Sequence, residues 1–347
     1  MTTTPTMHDL GWRPFFQQQL SLDELTDFNI GRVIEQHKSG AVVMNDAGQK
    51  SLFQTPNDDK VCVGDWVLFD DSLKLYRCLE RQSLFRRKAP GSKVDVQLIS
   101  ANIDTVMIVS SLNNDFNLGR IERYLALANE AQVEAVIVLT KADLCNDVDD
   151  KVQQVQKLDP LLLVYAINAL AKDEVAKLMT YCQTGKTLAF LGSSGVGKST
   201  LLNSFLGNEV QDTGSIREDD SKGRHTTTYR ALRWFEQGGL LLDTPGMREL
   251  QLSFCEQGVS DTFAEITELI TQCKFSNCSH NNEPGCVILA ALDDGTLDPR
   301  RFKSYQKLMR EQEFNSSTLA QKRAKDKALG KMINTVQAES RHFKKGR

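Results

Sequence analysis

Apolar positions along this chain change their spacing three times, and each change marks a boundary. Residues 1–28 are mostly polar around an aromatic cluster, Trp12, Phe15 and Phe16, and read as an N-terminal extension whose docking the pattern leaves open. From Asn29 the apolar residues come in short runs: Ile30–Gln36, Ala41–Asn45, Lys50–Gln54, Asp65–Asp70 and Leu75–Glu80. Turn signals such as Asp46-Ala47-Gly48 and Pro56-Asn57-Asp58 separate them. Five such runs predict a small all-β barrel within residues 29–92. The OB-fold is the commonest design of this size that binds RNA, and an SH3-like barrel gives the same pattern. The end of the segment, Arg81–Ser92, holds Arg81, Arg86, Arg87 and Lys88 before the Pro90-Gly91 turn, and reads as an exposed basic linker suited to phosphate contact.

Beyond the linker the runs become longer and alternate with helical periodicity. Thr105–Val109 and Ala135–Leu139 are continuous apolar runs, as expected of strands buried on both faces, and Leu118–Glu130 between them spaces Ile121, Leu125 and Ala128 at helical intervals. This β–α–β alternation predicts a parallel sheet covered by helices over residues 93–252, continued by Leu161–Tyr165, Leu188–Leu191 and Leu240–Leu242. After Leu250 the pattern is helical over Asp261–Thr271, Pro299–Phe314 and Leu319–Val336, and residues 253–347 form a C-terminal helical module. The last of these helices, rich in Lys, Ala and Gln, has little apolar surface and needs something to pack on. The expected architecture is therefore multidomain, with an all-β barrel, a central α/β unit and an α-helical C-terminal domain.

The α/β segment carries the chemistry. Leu188–Leu202 runs from an apolar strand through Gly192, Ser193, Ser194, Gly195, Val196, Gly197, Lys198, Ser199 and Thr200 into a helix, satisfying the phosphate-loop pattern G-x-x-x-x-G-K-S/T. Glycines allow the backbone N–H groups to turn onto phosphates, and the helix N-terminus adds a favourable dipole. Lys198 would reach the β- and γ-phosphates and the Ser199 hydroxyl would ligate Mg²⁺. Thr140, Lys141, Ala142 and Asp143 follow the strand ending at Leu139 and resemble the base-recognition motif T-K-x-D of GTPases. A carboxylate at Asp143 can accept from guanine N1–H and the 2-amino group, a donor pair adenine lacks, so it points to guanine and against an ATPase or kinase. Asp243-Thr244-Pro245-Gly246 resembles the D-x-x-G switch, with Asp243 holding Mg²⁺ through water and the Gly246 N–H sensing the γ-phosphate. Gly223–Thr228, G-R-H-T-T-T, lies in a polar stretch suited to a first switch, and Thr227 is the expected Mg²⁺ ligand among its threonines. Base recognition precedes the phosphate loop, which precedes the switches: a circular permutation. The second switch then leads directly into the C-terminal module, so nucleotide state is expected to move that module as a lever.

Charge and cysteines add partners. The net charge of −3 is divided unevenly: Pro299–Arg347 holds fourteen Lys/Arg against four Asp/Glu, a balance of +10 that leaves −13 on the rest. A basic tail on an acidic body suggests nucleic acid. No apolar run approaches the ~20 residues that span a bilayer, and the first residues lack signal-peptide design, so a cytoplasmic protein with no membrane partner is expected. Its eight cysteines are then reduced, and clustered ones indicate metal. Cys273, Cys278, His280 and Cys286 lie within fourteen residues and supply a complete tetrahedral Zn²⁺ set with no position open for water, which is a structural site.

Taken together, TKAD, GSSGVGKST, GRHTTT, DTPGMREL and CKFSNCSHNNEPGC resemble the RsgA (YjeQ/YloQ) family of circularly permuted GTPases over nearly the whole chain. The resemblance implies an N-terminal OB-fold, a permuted G domain and a C-terminal zinc domain. It further implies GTP hydrolysis to GDP stimulated by the 30S ribosomal subunit during its late maturation, by a monomer that contacts 16S rRNA. One stretch departs: where the family has a V-S-A-x-T-G-like base-support loop, this chain has Val164-Tyr165-Ala166-Ile167-Asn168-Ala169. That departure predicts a weaker hold on guanine or a differently built loop, as in a divergent paralogue. The position of a water-orienting Gln is Met247, which cannot orient water. His225 in the first switch is the candidate catalytic group, with Lys198 on the phosphates. The competing reading is an RNA-binding scaffold whose G domain binds nucleotide but hydrolyses it slowly.

Overall fold

The structure, a computed structural model, describes residues 4–37, 40–53, 59–89, 96–113, 115–206, 230–234, 238–243 and 254–316. The N-terminal extension is docked. Two short helices, α1 (Pro14–Gln17) and α2 (Leu22–Asp27), are started by proline and by a Ser21/Glu24 capping box. Leu10 and Phe16 are buried, and Trp12 packs edge-on against Trp66 at 4.8 Å.

The five expected runs form β1 (Asn29–His37), β2 (Gly40–Asn45), β3 (Gly48–Phe53), β4 (Trp66–Phe69) and β5 (Leu75–Cys78). β1 pairs antiparallel with β2 and β4, β2 with β3, and β4 with β5, while a parallel bridge from Phe53 to Lys74 brings β3 to the start of β5. Val33, Val43, Leu52, Val67 and Phe69 fill the interior. The basic segment that follows is not an open linker. It holds β6 (Leu84–Lys88), paired antiparallel with β7 (Val96–Ala101). Its cations meet protein partners: Arg81 bonds Asp65 at 2.6 Å, Arg86 bonds Glu130 at 2.9 Å, and Lys88 Nζ donates to the Asn315 carbonyl at 2.8 Å. Charge count alone could not separate such intramolecular pairing from a phosphate-facing run.

The α/β unit comprises β8 (Thr105–Ser111), α3 (Leu118–Glu130), β9 (Glu134–Thr140), α4 (Val148–Gln156), β10 (Leu163–Ile167), α5 (Lys172–Ala176), β11 (Thr187–Leu191), α6 (Lys198–Leu206), β12 (Arg230–Trp234) and β13 (Leu240–Asp243). Strands run in the order β10-β9-β8-β11-β13, all parallel, and β12 adds antiparallel to β13. Every residue of β8 is buried, as its unbroken apolar run requires. The mixed sheet does not stop at the domain edge: β12 pairs antiparallel with β1, placing Glu35 opposite Ala231. Arg32 pins the same junction. Its fully buried guanidinium donates to the carbonyls of Leu10 (2.6 Å), Asn102 (2.8 Å) and Gly64 (3.2 Å), three separate segments.

The C-terminal module contains α7 (Glu256–Thr262), α8 (Ala264–Thr271), α9 (Val287–Asp293) and α10 (Pro299–Ser316). The third expected helix, Leu319–Val336, lies outside the described residues. α7 lies so close to α3 that a side chain at Gly258 would run into the Ala126 carbonyl. A buried polar knot completes the clamp: Glu122 of α3 accepts from Arg300 (3.1 Å), Arg301 (2.9 Å) and Ser304 (2.5 Å) of α10. Arg301 also stacks over Phe263 at 4.6 Å. The lever expected from chain order is thus fastened to α3, and a movement of the module has to carry that helix or break the knot.

Candidate guanine-nucleotide site and metal centre

β11 delivers the phosphate loop at the end of the sheet's central strands, and α6 leaves it at Lys198. Gly192, with φ +152°, passes so close beneath β8 that a Cβ would strike the Val109 carbonyl oxygen, so glycine is required there. Val196 is buried, Ser194 and Gly195 are exposed, and Ser193, Gly197, Ser199 and Thr200 are partly buried. The Lys198 ammonium is held over the loop by the carbonyls of Gly192, at 2.8 Å, and Ser193.

The Thr140–Asp143 segment is joined to this loop. Thr140, at the end of β9, donates its hydroxyl to the Val196 carbonyl at 2.6 Å. Lys141 stands in the left-handed region with φ +60°, and its ammonium reaches the Gly195 carbonyl at 3.0 Å. Asp143 follows on an exposed turn over Ala142–Leu144. Two motifs about fifty-five residues apart in sequence therefore meet by hydrogen bonds, at the carboxyl ends of the two parallel strands that flank β8. Asp243 ends β13 opposite Ala231, while His225, Thr227 and Gly246 lie outside the described residues.

The base-support loop requires a correction. Tyr165 and Ala166 are not in a loop: they lie within β10, opposite Val138 and Leu139, and the Tyr165 hydroxyl bonds that of Tyr181 at 3.1 Å. The chain leaves the strand only after Ile167, which is opposite Thr140. The residues that leave it, at the end of the sheet where the Ala142–Leu144 turn also lies, are thus Asn168-Ala169-Leu170. The strand ends two residues later than the apolar run Leu161–Tyr165 implies. Neither Glu174, which bonds Asn168, nor Ser204, which bonds Ala169, carried any signal in the sequence.

Near the C-terminal end, the donor atoms of Cys273, Cys278, His280 and Cys286 all lie within 4.8 Å of one another. His280 Nδ1 is 3.4 Å from Cys286 Sγ and 3.7 Å from Cys273 Sγ. The usual Zn–S and Zn–N bond lengths give tetrahedral edges of about 3.6 to 3.8 Å, so the set fits one zinc ion. Burial opposes ionisation of the Cys273 thiol, but the N–H groups of Val287 and Ile288, together with Cys286 and Cys278, outweigh it and lower its pKa. The remaining cysteines, Cys62, Cys78, Cys145, Cys182 and Cys255, are not in this cluster. An open groove of about 840 Å³ between barrel, hairpin and α3, lined by Lys60, Arg81, Arg86 and Glu130 among others, is separate from the phosphate loop.

Comparison with known proteins agrees with this geometry. The RsgA GTPase family model matches residues 78–253. An ABC transporter model matches residues 175–339, which contain the phosphate loop but not Thr140–Asp143 and make up less than half of the chain. The small ribosomal subunit biogenesis GTPase RsgA 2 of Vibrio parahaemolyticus is 54% identical over 98% of this chain and 95% of its own. The RsgA of Mesorhizobium japonicum is 44% identical over 90% and 92%. Among solved structures, YjeQ from Thermotoga maritima superposes with a TM-score of 0.60 at 25% identity, over 82% of this chain and 98% of its own. The circularly permuted GTPase YloQ shares the fold with a TM-score of 0.58, over 84% and 96%.

Proposed function

The chain belongs to the RsgA family of circularly permuted GTPases, and from that premise we propose that it hydrolyses GTP to GDP in the biogenesis of the small ribosomal subunit. The observation that carries the reading is the bonding of Thr140 and Lys141 to the phosphate-loop carbonyls of Val196 and Gly195, with Asp143 on the next turn. In this reading Asp143 accepts from guanine N1–H and the 2-amino group, and Lys198 turns from the loop carbonyls to the β- and γ-phosphates. The N–H groups of the loop from Ser193 to Thr200 cradle the phosphates. Ser199, Thr227 and Asp243 would hold Mg²⁺, and the Gly246 N–H would meet the γ-phosphate. Bound Mg²⁺ neutralises charge on the phosphate oxygens. His225 takes the place of the missing Gln as the water-positioning group, because Met247 offers no polar atom.

The N-terminal barrel is read as an OB-fold. Its strand succession β1-β2-β3-β5-β4, with β4 returning to β1 and β3 bridged in parallel to β5, supports this. The barrel and basic tail would grip 16S rRNA by phosphate contacts that weaken with salt. The zinc centre, with four protein donors, is read as structural, tying the segment between α8 and α9 into the C-terminal module. A cytoplasmic monomer, with turnover stimulated by the 30S subunit and release on hydrolysis, completes the reading; no described helix is long and apolar enough to cross a membrane. GTP turnover with and without purified 30S subunits is the test. Stimulation is expected, and it is expected to fall in His225→Ala. Binding of both GTP and 30S subunits without stimulated turnover would favour the scaffold alternative that Met247 suggests.

A further inference from the structure

The loop leaving β10 carries an inference that rests on the guanine-nucleotide reading above. Asp143 can satisfy the two donors on guanine's base-pairing edge, which leaves the O6 acceptor in need of a donor. β10 lies beside β9 with Ile167 opposite Thr140, so the residues that follow reach the same end of the sheet as the Ala142–Leu144 turn. There the main-chain N–H of Ala169 has no acceptor among the described residues, although Ala169 is only 7% exposed. The groups on either side of it are engaged. The Asn168 N–H donates to Glu174 Oε2 at 2.7 Å, and the Leu170 N–H to Asn168 Oδ1 at 3.0 Å. The Ala169 carbonyl accepts from the Ser204 hydroxyl of α6 at 3.3 Å. The loop is thus braced from two sides, by a carboxylate from the first turn of α5 and by the helix that opens at the phosphate-binding lysine.

We propose that Glu174 is a positioning residue for base recognition: its carboxylate fixes the peptide before Asn168 so that the Ala169 N–H is presented to guanine O6, with Ser204 tying the same loop to α6. Glu174 itself touches no nucleotide. Its hydrogen bond is charge-assisted and joins the loop to a helix start, so it restrains the peptide plane more firmly than a solvent contact would. Ser204 also bonds the Thr200 carbonyl at 3.0 Å, so its hold on the loop is shared and its effect smaller.

The full-length chain, loaded with a fluorescent guanine nucleotide, is titrated with GDP, 6-thio-GDP, IDP and ADP. The sulfur of 6-thio-GDP is a weak acceptor at the O6 position, whereas IDP keeps O6 and lacks the 2-amino group that Asp143 reads. Glu174→Ala is expected to weaken GDP about tenfold, the usual scale for a lost charge-assisted hydrogen bond. It should narrow the GDP over 6-thio-GDP preference while leaving the GDP over IDP preference unchanged. In GTP turnover the loss falls on KM rather than on kcat. Glu174→Gln, which keeps an acceptor oxygen, restores most of the affinity, and Ser204→Ala gives a smaller loss in the same direction. If Glu174→Ala does not fold, Ser204→Ala carries the same ratio test. A guanine-specific wild-type chain whose variants keep the wild-type 6-thio ratio, or lose all nucleotides by one factor, overturns the inference alone. A wild-type chain that binds ADP as well as GDP overturns the guanine reading and this inference with it.

Discussion

The chain joins its two flanking parts to the central sheet in different ways, and a buried arginine sits at each joint. At the barrel joint Arg32 meets three carbonyl oxygens and no carboxylate, and burial lowers its pKa to about 10. At the joint with the zinc-site module Arg301 is nearly as buried. Burial pulls its pKa down too, but Glu265 and Glu122 more than offset that and raise it. The same side chain is thus destabilised as a cation in one place and stabilised in the other, because neutral dipoles replace less of the lost hydration than ionised partners do. The barrel joint can accept this arrangement because it also has the β1–β12 pairing and the packing of Trp12, Phe16 and Trp66. The other joint depends more on its charged knot.

The largest expected effect is at the Cys273, Cys278, His280 and Cys286 cluster, read above as a zinc centre. Chelation of zinc should unfold the C-terminal module, since such sites contribute about 10 kcal/mol or more to folding. Helical circular dichroism should fall while fluorescence from Trp12 and Trp66 at the barrel joint stays unchanged. A parallel loss of both signals would show that the joints are not independent. Next, Glu122→Ala leaves Arg300 and Arg301 facing an empty position and should cost about 3–5 kcal/mol in denaturant unfolding. The double variant Glu122→Met/Arg301→Met should be the milder of the two, because the buried cation leaves together with the buried carboxylate and the charges that lose a partner, Arg300 and Glu265, are both partly solvated. Arg32→Met at the barrel joint strips the Leu10 and Asn102 carbonyls of this donor and leaves Gly64 with Asn102 Nδ2, but removes an unfavourably placed cation, so a smaller loss of about 2–3 kcal/mol is expected. A cost equal to that of Glu122→Ala would break the comparison.

The smallest effect is a pH response of the N-terminal arm. The hydrogen bond from Arg77, with the Ser21 N–H, holds the Glu24 carboxyl down to about 2 from its ordinary 4.5. A depressed acid contributes stability that is fully present above the unfolded value and is lost as pH falls through the folded one. Docking of the arm should therefore be unchanged above about pH 5 and weaken between pH 4.5 and 2. Protection of residues 14–27 from proteolysis should follow that window, and Glu24→Gln should abolish the pH dependence.

How much of this was readable beforehand varied with the kind of interaction. The strands at Thr105–Ser111 and Glu134–Thr140 and the helix Leu118–Glu130 were legible because burial on one or both faces imposes periodicity on the sequence itself. β6, β7 and β12 were not: Leu84–Lys88 is two apolar residues followed by three basic ones, and its pairing with Val96–Ala101 is decided by a partner rather than by its own pattern. The base-support loop was misplaced for a related reason. Leu161–Tyr165 is as apolar as the true strand, and only pairing with β9 fixes where the strand ends.

By itself the sequence determined the chemistry: a phosphate loop, a carboxylate suited to guanine, a Cys₃His set and their permuted order, each a local pattern whose residues must be near neighbours to work. Tertiary structure alone decided which atoms from distant segments meet. Thr140 and Lys141 bind the phosphate loop, Asn168 and Ala169 are held by Glu174 and Ser204, and Arg32 and Glu122 fasten the two flanking parts. Those contacts depend on strand register and helix packing, and register is a property of two segments together, which neither one encodes alone.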